Sequence, residues 1–418
     1  MNQPLRKTLL VMLLALVSVS CGSLKNAGDR AAAEPSPLIL VSIDGFRWDY
    51  TDIHQAPTID SLARSGVRSE GLIPPFPSKT FPSHYTQVTG LHPAKHGIVS
   101  NTMYDPGMDA SFRLSDNEAQ LNPEWWSGEP IWVTATKNDL VSACMFWPGS
   151  ETEHDGYLPD MYKAFDGDLS SEDRVNQLLA WMALPEDERP DFATLYFDIV
   201  DSAGHRHGPQ SKQVHDAVLE VDASIRLLVS GLKAQGIKDP NIVLVSDHGM
   251  AEIDTTRVIF LDDYIDMTDV RIVDWSPIAA LRPPADMVDE VYEGLLNKHP
   301  ELQVYRGGDE ANLPERFHYS DNDRIQPVIA VASEGWTITI RDGYRASRHL
   351  GSTHGYDNHL QSMHGLFAAS GPAFKSGVVI PAVESIHLYN MMAAILSIDP
   401  APNDGGTVLI DSALAVER

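Results

Sequence analysis

The chain has 418 residues, with 58 acidic against 31 basic side chains, a formal net charge of −27 and 43% hydrophobic residues. Charged residues at 21% and aromatics at 8% exclude a disordered acidic tail. The acidic balance excludes a bulk-electrostatic nucleic-acid binder and a polybasic membrane-surface protein, because phosphate-rich surfaces require clustered Lys and Arg, and the length admits one large domain or two ordinary ones.

In chain order, Arg6 and Lys7 precede a short apolar run, Leu9 to Val17, and then Ser18-Val19-Ser20-Cys21. The run is too short for a membrane span and reads as a signal segment. A small residue before a single Cys resembles a bacterial lipoprotein signal, although Ser18 stands where Leu is usual. The alternative is secretion with later cleavage near Ala31-Ala32-Ala33. The expected division is a leader over 1–20, a small-residue tether over 21–36, and a catalytic domain over 37–418. Gly22 after the Cys favours the outer membrane, so a lipid-anchored envelope location is expected. Cys144, within SACMFW, is the only other cysteine and reads as a core residue.

PLILVSID (37–44) is a continuous apolar run and predicts a buried strand. A helix is predicted over 58–66, ending at Gly66. SACMFW predicts a second buried strand, and 171–184 a helix with Ser at its start. DFATLYFDIV (191–200) and NIVLVSD (241–247) predict two more central strands, with a long helix over 211–235 between them. Alternating strands and helices imply an α/β fold with a mostly parallel sheet covered on both faces. Residues 258–345 are β-rich around one helix (287–298) and read as an inserted α+β subdomain. The helix 387–396 has an apolar stripe and is expected to pack on the sheet.

The chemistry gathers where ligands of open α/β sheets bind, beyond the carboxyl ends of strands. Asp44 ends the first strand. Asp201 follows LYFDIV and precedes His205. Asp247 ends IVLVSD and is followed by His248. STHGYDNHLQSMHG adds His354, His359 and His364. One Asp after a strand is an ordinary turn residue. Three, two of them with a His alongside, point to metal, and Asp with His suits zinc where Cys is absent. Five of these residues plus one later His suffice for two metals, which can clamp both oxygens of a displacement at phosphorus. The nucleophile is sought in PPFPSKTFPSHYTQVTG (74–90), where Ser78, Thr80 and Ser83 compete. Pro77 and Pro82 frame Thr80 at a predicted helix start.

VSIDGFRWDY, PSKTFPSHYTQVTGLHPAKHGIVSN, DSAGHRHGP, VSDHGM and HGYDN, in this order over roughly residues 37–410, resemble the nucleotide pyrophosphatase/phosphodiesterase family of the alkaline phosphatase superfamily. The resemblance implies an alkaline phosphatase-like fold and two Zn2+ ions. It implies that Asp44, Thr80, Asp247 and His248 hold one zinc, with Thr80 as nucleophile. Asp201, His205 and His354 are implied to hold the other. Asn101 is implied to donate to a phosphoryl oxygen, Phe81 to contact a nucleobase, and either Tyr162 or Phe165 to provide a second stacking ring. Leu158 stands where the family often has a basic residue. His207, His359 and His364 are expected outside the ligand set, Asp357 is a candidate partner for a ligand histidine, and Lys79 is expected to be a solvated charge beside the site.

The implied reaction is hydrolysis of nucleotide phosphodiester and pyrophosphate bonds through a phosphothreonine intermediate, releasing a nucleoside 5′-monophosphate. The segment 101–132 favours nucleotide substrates by the same resemblance. The alternatives are a choline-phosphate or lysophospholipid phosphodiesterase, a phosphate monoesterase, and a non-catalytic lipoprotein that binds zinc or ligands. A small substrate, no binding of polymeric nucleic acid, and a monomer are expected.

Overall fold

The computed structural model describes residues 36–308 and 311–415. The leader, Cys21 and nearly all of the tether lie outside the described residues. The central element is an eight-stranded sheet in the order Val378–Ile380, Val67–Ser69, Phe367–Ser370, Asn241–Val245, Leu38–Ile43, Phe192–Phe197, Ser142–Met145, Met161–Lys163. Phe367–Ser370 runs antiparallel to both of its neighbours, and every other pair is parallel.

The strand Leu38–Ile43 shows why its sequence is apolar throughout. It is hydrogen-bonded on both sides and buried at all six positions. Its side chains alternate between two cores, as the two-residue strand period requires. Leu38 and Leu40 join Leu388, Met391 and Met392 on one face. Ile39, Val41 and Ile43 join Val214, Val218 and Ile225 of the long helix Lys212–Ala234 on the other. That helix starts where the Ser211 hydroxyl accepts from the Val214 N–H at 3.2 Å. The C-terminal helix Leu388–Leu396 therefore packs on the sheet, as its stripe predicts.

One boundary differs from the sequence reading. The strand expected to reach residue 200 ends at Phe197, and Ile199–His207 is a helix. Ile199 and Val200 are apolar because Val200 is buried from that helix, which leaves a strand and a helix start indistinguishable by composition. A second, antiparallel sheet of four strands, Arg271–Asp274, Ile278–Arg282, Val328–Ala332 and Leu302–Arg306, has its own core with the helix Val288–Leu295.

Candidate active site

Asp44 follows the central strand directly, and Gly45 turns the chain with φ +65°. A Cβ on Gly45 would stand 2.9 Å from Asp201 Cα, so only glycine lets the end of the central strand approach Asp201 so closely. Asp201 lies in the first turn of the helix Ile199–His207, not at a strand end. Helical periodicity places His205 one turn later on the same face, with Nε2 3.3 Å from Asp201 Oδ1. Asp247 and His248 follow the strand Asn241–Val245. His354 stacks face to face on His248, with centroids 3.4 Å apart.

Two groups of donor atoms result, each within 4.8 Å of one another: Asp44, Asp247 and His248, and Asp201, His248 and His354. The histidines are oriented by the main chain. Nδ1 donates to Ser352 O from His205 at 3.0 Å, to Gly249 O from His248 at 3.0 Å, and to Ser78 O from His354 at 2.9 Å. Each Nε2 faces the carboxylates, at 3.0 Å from Asp247 for His248 and 3.8 Å from Asp201 for His354.

The site is electrostatically suited to cations. Asp44 Oδ1, Asp201 Oδ1 and Asp247 Oδ2 are buried and accept no hydrogen bond. Burial, then Asp247 and Asp201, pushes the Asp44 carboxyl well above its usual range. Burial likewise raises Asp201, against the pull of His205 and His248. Burial works against ionisation of Asp247, but His248 and His84 outweigh it and hold this carboxyl low. Burial opposes charge on His248, yet Asp247 lifts it above the ordinary imidazole range. His354 is pushed well below that range by burial, His248 and His205. Buried carboxylates without donors, faced by the Nε2 atoms of imidazoles, fit a divalent metal that would displace the His248 proton, and the N and O donor set fits zinc.

Thr80 is the first residue of the helix Thr80–Thr89, with Oγ1 3.4 Å from His248 Nε2. Ser78 and Ser83 are fully buried; Ser78 Oγ donates to Tyr356 O at 3.0 Å. Thr80 is therefore the hydroxyl that faces the acidic cluster. Asn101 Oδ1 accepts from the Phe81 N–H at 2.9 Å, which leaves its Nδ2 hydrogens available to a ligand.

Thr80, Asp44 and Asp201 open into a cavity of about 310 Å³ that Phe81, Trp126, Phe146, Phe165 and Tyr196 also line. Phe165 is among its walls, while Tyr162, on the edge strand Met161–Lys163, is not. Of the two rings left open by the sequence, Phe165 is thus the one positioned at the cavity.

Several residues have roles the sequence reading did not assign. Tyr196 donates to Asp44 Oδ2. His84 Nδ1 donates to Thr80 O at 2.8 Å, and Nε2 meets Ser42 Oγ at 2.8 Å. With Asp247 3.4 Å from His84, these contacts imitate a Ser-His-Asp triad, but Ser42, His84 and Asp247 are sealed from solvent, so Ser42 has no access to substrate. Lys79 is not a solvated charge: it is buried and paired with Asp274 of the second sheet. Asp357 does not support a ligand histidine. It forms a bidentate pair with Arg316 at 2.5 and 2.7 Å. His207 and His359 are exposed. His364 is buried, and neither ring nitrogen makes a hydrogen bond. Cys144 is fully buried and free, and burial pushes its thiol pKa up.

Comparison with known proteins identifies the family. Residues 38–357 match the family described as type I phosphodiesterase / nucleotide pyrophosphatase. Ectonucleotide pyrophosphatase/phosphodiesterase family member 1 of Mus musculus is 40% identical over 400 residues, which cover 93% of this chain and 44% of that protein. Venom phosphodiesterase CdcPDE of Crotalus durissus collilineatus is 38% identical over 394 residues, covering 92% and 47%. The chain thus spans less than half the length of these curated relatives. Murine ectonucleotide pyrophosphatase/phosphodiesterase 5, solved as an inactive variant in complex with AMP, superposes with a TM-score of 0.86 at 35% identity, over 91% of this chain and all of that one. The fold is therefore that of this group, and the chain belongs to the type I phosphodiesterase / nucleotide pyrophosphatase family.

Proposed function

We propose that the chain hydrolyses small nucleotide phosphodiesters and pyrophosphates, releasing a nucleoside 5′-monophosphate through a covalent intermediate on Thr80. The observation that carries this reading is the position of Thr80 Oγ1. It lies at a helix N-terminus, against the Asp and His cluster, at the floor of an aromatic-lined cavity. The helix N-terminus favours developing negative charge on Thr80 and on the phosphoryl group.

Asp44, Asp247 and His248 would hold one zinc together with Thr80; Asp201, His205 and His354 would hold the second. When bound, the pair supplies Lewis acidity that lowers the pKa of an attacking hydroxyl and neutralises phosphoryl charge. Thr80 gives up its proton to solvent, its oxygen bonds to phosphorus as the bond to the leaving oxygen breaks, and the leaving oxygen departs with a proton from solvent where its pKa requires one. The product is a phosphothreonine diester. Water then attacks from the opposite side and gives up a proton, the bond to Thr80 breaks, and the Thr80 oxygen takes up that proton. Asn101 Nδ2 donates to a non-bridging oxygen as charge develops there. Phe81 and Phe165 flank the space for a planar base. The leader over 1–20, with Cys21 behind it, adds a lipid-anchored envelope location to this proposal.

A choline-phosphate substrate would require an acidic or aromatic site free to take a quaternary ammonium. The acids of the wall outside the metal cluster each have a partner, whereas Phe81 and Phe165 offer flat faces to a planar base, and the murine relative was solved with AMP. Glu151 accepts from the Phe165 N–H at 2.8 Å, and Asp198 pairs with Arg174 at 2.7 Å. The nucleotide reading is therefore favoured. The test compares p-nitrophenyl esters of a nucleotide, of phosphate and of phosphocholine, with and without chelator. Chelator-sensitive preference for the nucleotide diester is expected, and preference for phosphocholine overturns the substrate assignment. Thr80→Ala should abolish turnover while retaining zinc measured by elemental analysis. Normal turnover by that variant overturns the nucleophile.

A further inference from the structure

We infer that Arg174 is a positioning residue that holds the aromatic platform of the cavity in register with the helix bearing Asp201 and His205. The inference rests on the nucleotide reading above and concerns how the base side of the site is held.

Arg174 lies on the helix Ser171–Met182 and is only 2% exposed. A buried guanidinium has to be met on all its donor edges. Nε donates to Leu169 O at 3.0 Å and Nη1 to Tyr196 O at 3.0 Å. Nη1 is also 2.7 Å from Asp198 Oδ1. Asp198 is the residue from which the helix Ile199–His207 starts. Tyr196, whose carbonyl Arg174 engages, is the residue that bonds to Asp44. Arg174 is thus tied by two contacts to the backbone and helix start that place Asp44 and Asp201.

The same guanidinium lies against the platform. Its central carbon is 5.1 Å from the Phe146 ring centroid and 5.9 Å from that of Phe165. The two rings meet edge to face, 5.1 Å apart. Phe146 adopts φ +63°, a conformation few side chains accept without support from their surroundings. Phe165 is 54% exposed, and besides Phe146 and the guanidinium the one ring it meets among the described residues is Tyr196, edge to face at 6.1 Å. A cation near an aromatic ring holds that ring and draws electron density from it, which strengthens stacking of an electron-rich base on the open face. One side chain therefore links the surface that would receive the base to the elements that place the reacting phosphorus.

The experiment measures kcat/KM for a p-nitrophenyl nucleotide diester and for a diester without a base, methyl p-nitrophenyl phosphate, in wild type, Arg174→Met and Arg174→Lys. A wild type without preference for the nucleotide ester overturns the nucleotide reading, and this inference with it. Given that preference, the nucleotide-to-baseless ratio is expected to fall about tenfold in Arg174→Met, mostly through KM, with partial recovery in Arg174→Lys. An unchanged ratio, with both substrates losing equally, marks a purely structural role and overturns the inference. Where Arg174→Met does not fold, Arg174→Lys combined with Phe165→Leu gives the decision. Coupling of threefold or more between them supports it, and independent effects overturn it.

Discussion

Tyr196 donates its phenolic hydrogen to Asp44 Oδ2 at 2.6 Å, and both residues are buried. Burial, then Asp44, raises the Tyr196 phenol well above its usual range, so it stays a donor across the working pH. The bond turns the other oxygen, Asp44 Oδ1, toward His248, which is 3.5 Å away. Partners of this kind typically contribute about 10- to 100-fold in metal affinity. Tyr196→Phe should therefore lose zinc to a competing chelator at a concentration at least about tenfold lower, with its fold intact by circular dichroism. Equal retention of zinc by the two proteins would remove this role.

Lys79 and Asp274 join the segment that carries Thr80 to the second sheet. Ser100 Oγ donates to the same carboxylate, and the Trp275 N–H reaches its other oxygen at 2.8 Å. The paired side chains are 7% and 12% exposed. Asp274→Asn leaves the lysine charge buried and unpaired, a change that costs about 3–5 kcal/mol. Urea unfolding should show that loss, and the double variant with Lys79→Met should recover much of it. A loss below about 1 kcal/mol, the size of a surface pair, would show that the pair is solvated.

His96 gives the protein an acid-sensitive stability. Burial pushes its pKa down to about 3, whereas in the unfolded chain it is about 6.5. Between these values the unfolded chain binds the extra proton, so stability is full above about pH 6.5 and falls by about 1.4 kcal/mol per pH unit as the pH drops. From pH 7 to pH 5 this single group should remove about 2 kcal/mol. His96→Gln, which can keep the bond to Thr86 Oγ1 seen at 3.0 Å, should flatten that part of the profile. Parallel profiles for the two proteins in urea unfolding would refute the assignment.

Zinc should stabilise the fold as well as the reaction. The carboxylates of Asp44, Asp201 and Asp247 repel one another in a buried space, and cation binding relieves this only in the folded state. At a free zinc concentration 100-fold above the dissociation constant, one site adds about 2.7 kcal/mol. Denaturation with and without chelator measures this, and coincident curves would refute it.

Some of the site was legible because burial on both faces of a parallel strand leaves a signature. The run LILVSI can hardly be anything else, and the first polar residue after it, Asp44, had to lie at the ligand edge. The sequence suggests a strand end for Asp201 and the structure puts it in a helix, since Ile199 and Val200 suit either element. The burial of Lys79 is not legible, because its partner lies 195 positions away and no local pattern signals a buried lysine. Tyr196 is hidden in a strand that is apolar but for Thr194, where a tyrosine reads as core. The sequence suggests Asp357 as a histidine partner because carboxylates are visible in a sequence and main-chain carbonyls are not.

Those carbonyls have a further consequence. Because Ser352, Gly249 and Ser78 each receive an imidazole hydrogen through the backbone, the tautomer of all three histidines is set by where the chain runs, not by what its neighbouring side chains are. No single base change in the gene can delete such an acceptor. Substitutions around the cavity are free to alter its walls and its preferred ligand while the inward lone pairs persist. The site is built so that specificity can drift under mutation and the chemistry cannot easily follow it.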